Sequence, residues 1–385
     1  MNSRSLFAVC LLAFAAAPAS AQQAIKLPET LTWTAYDVGS GGYNQAVAIG
    51  NALKNKLGVN LRVLPGKNDV SRTVPLREGK VQFSANGVGG SYLAQEGVYE
   101  FGAKEWGPQP VRALIINNSD QLLSIVTAKD ANILTPKDLK GKRVAWVVGA
   151  PSLNQNITAM LAFAGLTWAD VKKVEFGGFG QAMEGIIANQ VDAAFSSSIS
   201  GQVFKIAASP RGLRYPVFAH SDKEGWARMK KVAPFFVPTF GAEGAQLSPE
   251  NKVESASYPY PVLMAYKAVD PELAYSMTKA MVELFDEYKA GAPGNAGWDV
   301  KRQVFDWVIP VHEGAIKYFK EKGLWKPEHD THNAALIKRQ EVLAAAWAGY
   351  KKGASDDEKA FAQGWMKARA EALTKAGMDV VQTEW

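Results

Sequence analysis

Apolar and polar residues alternate along Thr32-Trp33-Thr34-Ala35-Tyr36, and the chain then enters a turn at Gly39-Ser40-Gly41-Gly42-Tyr43. Beyond it the apolar positions take helical spacing at Val47, Ile49, Ala52 and Leu53. A period near two that gives way to one near 3.6 predicts strand, glycine-rich turn, helix. The change recurs. Residues 60–64 read as a second strand, closed by Pro65-Gly66. Cap-type Lys67-Asn68-Asp69 opens a helix over 70–78, whose course Pro75 is expected to disturb. Residues 81–85 form a third strand that breaks into Asn86-Gly87-Val88-Gly89. Strands alternating with helices call for a parallel sheet, with a ligand at the carboxyl ends of its strands, where Ser40 and Asn86 fall.

Strands follow at 111–116 and 121–126, and the second of these is expected to cross into a new α/β unit. That unit opens at Thr135-Pro136, with Pro in the first turn and Gly141 as the stop. Its strand at 143–148 ends in Gly149-Ala150-Pro151-Ser152-Leu153-Asn154-Gln155-Asn156, a second ligand-facing turn rich in amides that both donate and accept. A strand at 171–176, a glycine turn and a helix at 181–189 lead to 191–195 and the cluster Ser196-Ser197-Ser198. Residues 211–218 are expected to return as a strand, and 258–266 to cross back. From 271 to 288 an amphipathic helix places Leu273, Met277, Ala280, Met281 and Leu284 on one face. The last segment, 333–375, is Ala-, Lys- and Glu-rich and helical, with Trp347, Phe361 and Trp365 as packing anchors.

Residues 1–21 read differently. A start carrying Arg4, an apolar run from Leu6 to Ala17 and the A-x-A site Ala19-Ser20-Ala21 make an export signal, with cleavage expected before Gln22. The run is short for a membrane span, and no later stretch approaches an apolar twenty-mer. The single cysteine, Cys10, lies within the signal, so the exported chain has neither disulfide nor thiolate metal site and relies on core burial. About 360 remaining residues suffice for two domains. The formal charge of +6 falls to about +5 with Arg4 removed. Because Lys and Arg are scattered along the chain, this excess argues against nucleic acid and is compatible with a small anion.

The glycine turns carry no G-x-G-x-x-G and no G-x-x-x-x-G-K-[ST], so they suit a small polar molecule at a helix N-terminus rather than a dinucleotide. An exported hydrolase would need a nucleophile beside a base. Only His220, His312, His329 and His332 are available, none in a metal-ligand spacing such as H-E-x-x-H. His312-Glu313 reads as a helix cap or surface contact, and Lys67, Arg72 and Arg143 are possible partners of a carboxylate.

In their order these segments resemble the TAXI family of solute-binding proteins, which serve tripartite ATP-independent periplasmic (TRAP) transporters. The resemblance rests on the Gly39–Tyr43 turn, on Leu139-Lys140-Gly141-Lys142-Arg143-Val144 with the loop at 149–156, on Gly178-Phe179, on 187–195, and on the closing segments at 273–284 and 312–319. It implies an α/β protein with a two-lobed, type II periplasmic-binding fold. Residues 22–122 and 262–330 would form lobe I and 123–261 lobe II, with a C-terminal helical extension at 331–385. It also implies periplasmic capture of a small organic anion or amino acid, a carboxylate such as glutamate, glutamine or 2-oxoglutarate, delivered to an ion-coupled permease. No catalysis, cofactor or metal is implied. The ligand-binding positions that carry over are Gly39, Ser40, Gly41, Gly42, Tyr43, Asn86, Ser152, Asn154, Gln155, Asn156, Ser196, Ser197 and Ser198. Ser152-Leu153-Asn154-Gln155 stands where the family has a Gly-Ser-Gly-Thr-like turn, Asn86-Gly87-Val88-Gly89 where it has a Gln/Ser/Asp pattern, and Ser197-Ser198-Ile199-Ser200 where it has Ala-Gly-x-Pro. A binding protein of an ABC importer or a sensor system has the same fold and is the alternative.

Overall fold

The computed structural model describes residues 24–382; the expected export signal lies outside the described residues. The first four strands of the chain all enter the first sheet: β1 (Thr30–Ala35), β2 (Asn60–Pro65), β3 (Phe83–Asn86) and β4 (Val111–Ile116). The chain then enters a second sheet with β5 (Leu123–Ala128), β6 (Arg143–Val147), β7 (Lys172–Phe176), β8 (Ala193–Ser197) and β9 (Leu213–Arg214). An antiparallel pair, β10 (Val237–Gly241) and β11 (Val253–Ser257), precedes the return through β12 (Val262–Tyr266).

The sheet orders are β2-β1-β3-β12-β4 and β7-β6-β8-β5-β9. Each has its second, first and third strands side by side and parallel, then a strand that arrives from the other lobe, then an edge strand. The arriving strand runs antiparallel to its neighbours: β12 against β3 and β4, β5 against β8 and β9. The expected parallel sheet is therefore mixed. The three successive strands are joined by helical crossovers that make them parallel, whereas β5 and β12 come directly across the hinge and enter in the opposite sense.

Lobe I buries Leu31, Trp33, Phe83 and Leu263 against three helices, Gly41–Leu57, Pro271–Glu283 and Glu313–Glu321. Leu31, Trp33 and Ala35 are the alternate, core-facing positions of β1. In lobe II, β5 and β8 are buried along their whole length. Two details depart from the sequence pattern. The helix at Asp69–Arg77 runs through Pro75 unbroken, because Pro75 falls in the last turn, where it removes only one helical bond. Of the strand expected across 211–218, only Leu213–Arg214 pairs; Pro216 follows and has no N–H to donate.

The two passages between lobes lie side by side. Tyr260 N–H donates to Asn117 O at 2.8 Å, Asn117 N–H to Pro261 O at 2.9 Å, and Gln121 Nε2 to Tyr260 O at 2.6 Å. On the far side of the cleft the lobes meet through main-chain bonds, Gly201 N–H to Gly39 O at 2.9 Å and Phe179 N–H to Lys67 O at 3.1 Å. Gln202 Nε2 adds a bond to Val38 O at 2.7 Å. The lobes are closed on one another.

Helices Pro327–Tyr350 and Glu358–Lys375 pack on lobe I. Their anchor is Glu96, fully buried, which takes Arg339 at 2.6 and 2.7 Å and also Arg369. Burial alone would raise the Glu96 carboxyl, but the two guanidinium groups outweigh it and hold it below its ordinary range. Trp365 is buried and donates to Gly97 O at 2.6 Å, and Trp347 and Phe361 pack beside it. Past the second helix, Gln382 reaches lobe II, donating to Val232 O at 3.3 Å.

Candidate functional site

Between the lobes lies a cavity of about 40 Å³, walled by Tyr36, Ser40, Gly41, Arg72 and Gly87 of lobe I and by Ser152, Phe179, Phe195, Ser196, Ser197 and Ser200 of lobe II. Tyr258 and Tyr260 close it at the hinge. Five of these positions sit at or in the first turn of a helix: Ser40 caps Gly41–Leu57, Arg72 belongs to Asp69–Arg77, Ser152 to Pro151–Phe163, Phe179 opens Phe179–Ile187 and Ser200 caps Gly201–Ala208. Five positive helix ends thus converge on one space.

Arg72 is the only cation among the described residues that line the cavity. It is buried and its guanidinium lies 4.5 Å over the Tyr36 ring, with one terminal nitrogen 2.7 Å from Asp69. The other Asp69 oxygen accepts from Ser152 N–H at 2.8 Å and from Ser152 Oγ at 2.6 Å, so a lobe I carboxylate caps a lobe II helix. Arg72 Nε and Tyr36 Oη remain buried without a hydrogen-bond partner. Burial raises the Tyr36, Tyr258 and Tyr260 hydroxyls above the ordinary phenolic value.

Glycine is required where Tyr260 approaches. A Cβ on Gly42 would stand 2.9 Å from Tyr260 Oη, and one on Gly87 would stand 3.2 Å from its ring. Gly39 adopts φ +81, a left-handed conformation that turns the chain toward Ser40.

Of the residues that the sequence places at the ligand, Ser40, Gly41, Ser152, Ser196 and Ser197 line this cavity. The others stand behind or beside it. Gly39 and Gly42 are in the turn under it, and Tyr43 packs against the lobe I core. Asn86 donates to Ser84 Oγ at 3.0 Å and accepts from Gly87 N–H, which shapes the loop. Asn154 lies within the helix and bonds Val147 N and O, both at 2.9 Å, tying it to β6. Gln155 turns to Tyr99 and Val232 O, Asn156 donates to Tyr258 Oη at 2.8 Å, and Ser198 bonds Leu122 N–H and Glu243 O. Helical spacing separates Ser152 from Asn154 by about 200°, so both cannot face one cleft.

Among the candidate basic residues, Arg72 is on the wall, whereas Arg143 pairs with Asp192 at 2.6 Å on the surface of lobe II. Tyr36, Phe179, Phe195, Tyr258 and Tyr260 also line the cavity and are not among the positions the sequence selects. The available signal was their place at strand ends and at the hinge. None of the four histidines lines the cavity: His312 is buried and caps Glu313–Glu321 through Nδ1, and His220, His329 and His332 bond main-chain groups elsewhere. Among the described residues no cluster of three or more His, Cys, Asp or Glu could hold a metal, and no helix is long and apolar enough to cross a membrane.

A mirrored pair of mixed sheets, two adjacent crossings and a closed interlobe cavity define a two-lobed periplasmic-binding-protein fold of type II. The chain belongs to the NMT1-like family, whose model matches residues 37–323. No curated protein matches it. Among solved structures it is similar to the alkanesulfonate-binding protein SsuA from Xanthomonas axonopodis pv. citri bound to MOPS, at 14% identity and TM-score 0.45 over 84% of this chain and 93% of that one. The periplasmic aliphatic sulphonate binding protein SsuA from Escherichia coli aligns at 14% identity and TM-score 0.43 over 92% and 90%. PhnD1 from Prochlorococcus marinus in complex with methylphosphonate aligns at 11% identity and TM-score 0.42 over 78% and 100%.

Proposed function

We propose that the protein is an extracytoplasmic receptor that closes on a small organic anion and passes it to an importer in the membrane, without transforming it. The observation that carries this reading is the pair of unpartnered buried groups, Arg72 Nε and Tyr36 Oη, on the wall of a closed cavity ringed by helix N-termini. An unpaired buried donor costs about 1–3 kcal/mol, a cost that an acceptor group on the ligand removes. Asp69 already balances the charge of Arg72, so the helix ends supply the remaining attraction for an anion. At about 40 Å³ the closed cavity suits a compact solute.

A carboxylate head group, as the TAXI resemblance implies, meets this demand, and so does a sulfonate or phosphonate. Nothing in the cavity asks for an activated nucleophile, which supports binding over hydrolysis. For the membrane partner, an ATP-driven importer is at least as well supported as the ion-coupled TRAP permease: fold and cavity suit both, and the family match names no TRAP permease.

A thermal-shift and calorimetric screen of the processed protein against carboxylates, amino acids, sulfonates and phosphonates tests the reading. A true solute at a hundredfold its Kd adds about 2.7 kcal/mol of stability. Silence from every anion and zwitterion would reject it. Uptake assays in strains lacking either the adjacent permease or the adjacent ATPase gene assign the partner.

A further inference from the structure

A second and larger cavity, about 490 Å³, lies between the lobes beside the helix Pro151–Phe163. Lobe I supplies Tyr99 and Glu100; lobe II supplies Trp146, Trp168, Gln155 and Lys231. Trp146 and Trp168 meet edge to face with ring centroids 5.1 Å apart. Trp168 spends its N–H on Thr158 Oγ1 at 2.8 Å, which leaves its ring as an apolar, electron-rich wall.

Glu100 is the anomaly. Burial pushes its carboxyl up to about 7, while Gly149 N–H and its own N–H bond it and Asp69 repels its charge. Among the described residues it forms no ion pair, although it faces a space large enough for an organic molecule. A carboxyl desolvated in this way gains from a cation brought to it; Lys173 Nζ already lies 4.8 Å over the Trp146 ring, so the paired indoles offer the ligand an apolar wall for its body rather than a seat for its charge. Lys231 stands on the same cavity, exposed, and opposes a second positive charge.

We propose that this cavity is a second ligand site, for an organic monocation: an amine with a flat apolar body, its ammonium on Glu100 and its body against Trp146 and Trp168. Because Tyr99 and Glu100 belong to one lobe and the indoles to the other, the bound amine also holds the lobes together. The site shares no wall residue with the cavity on the Arg72 side and is coupled to it only through lobe closure and the charge of Asp69.

Calorimetry with phenethylamine tests this, alongside 2-phenylethanol as the neutral counterpart, 3-phenylpropionate as the anionic one and cadaverine as a dication. Phenethylamine should bind at least tenfold more tightly than the other three, and Glu100→Gln should weaken it at least tenfold. Gln matches the protonated carboxyl in shape, so this variant should keep the fold, and Glu100→Asp should retain part of the affinity. No binding of phenethylamine, equal affinity for the neutral or anionic counterpart, or full affinity in E100Q would overturn the proposal. None of these results depends on whether a small anion binds near Arg72.

Discussion

Asp69 and Ser152 form a double contact across the cleft: one carboxylate oxygen accepts both the Ser152 N–H, at 2.8 Å, and its hydroxyl, at 2.6 Å. Asp69 belongs to lobe I and Ser152 to the first turn of a lobe II helix, so the contact exists only when the lobes close. The other oxygen of Asp69 fixes Arg72, which ties the closing contact to the orientation of the cation on the wall.

Ser152→Ala keeps the backbone bond and removes the hydroxyl bond to a charged acceptor. A loss of about 1.5–3 kcal/mol from the closed state is expected, read as a solute affinity lowered tenfold or more and as a larger radius of gyration with solute present. An unchanged affinity would separate this contact from closure.

Asp69→Asn leaves Arg72 buried without its counter-charge and should lower stability by about 3–5 kcal/mol in urea unfolding. Tyr36→Phe should differ in kind. Its hydroxyl has no protein partner, so stability should stay nearly constant while solute affinity falls by about fivefold to tenfold.

Gly42→Ala places a methyl group 2.9 Å from Tyr260 Oη, so Tyr260 must move. Solute binding should weaken with the melting temperature little changed, and Tyr260→Phe in the same chain should restore space and recover part of the affinity. Failure of the second change to help would locate the damage in the turn itself.

Glu100 gives stability a pH dependence of definite sign. Its folded value of about 7 lies above the ordinary 4.5, so the folded protein holds this proton more tightly than the unfolded chain. The contribution is intact below about 4.5 and is lost as the pH rises toward and through 7, to a cost on the order of 3 kcal/mol. Glu100→Gln should remove this part of the slope, measured by urea unfolding between pH 5 and 8, and should be more stable than wild type at the upper end. An amine bound at Glu100 should offset the same loss.

Periodicity made much of the fold legible because each β-strand buries alternate residues and each helix one stripe, and both are local facts. Thus β1, β2, β3, β6 and β8 and the turns at Ser40 and Ser196 are visible in the linear chain, as is the Trp365 and Phe361 face of the last helix. Ser40, Gly41, Ser152, Ser196 and Ser197 could be chosen because a hydroxyl or glycine at a strand end or helix start faces the carboxyl edge of its sheet in any α/β unit.

Tertiary structure decided the rest. Whether Asn154 addresses a ligand or its own strand depends on the rotation of its helix against β6, and Gln155 is drawn away by Tyr99 of the opposite lobe. The antiparallel entry of β5 and β12 follows from two crossings more than a hundred residues apart. Arg72 and Tyr36 are ordinary in the sequence, and only the folded arrangement of the two lobes leaves Arg72 Nε and Tyr36 Oη buried without a hydrogen-bond partner. Local order along a chain is set by neighbours a few residues away; the chemistry of a cleft is set by groups from two bodies, and no short-range pattern records how those bodies meet.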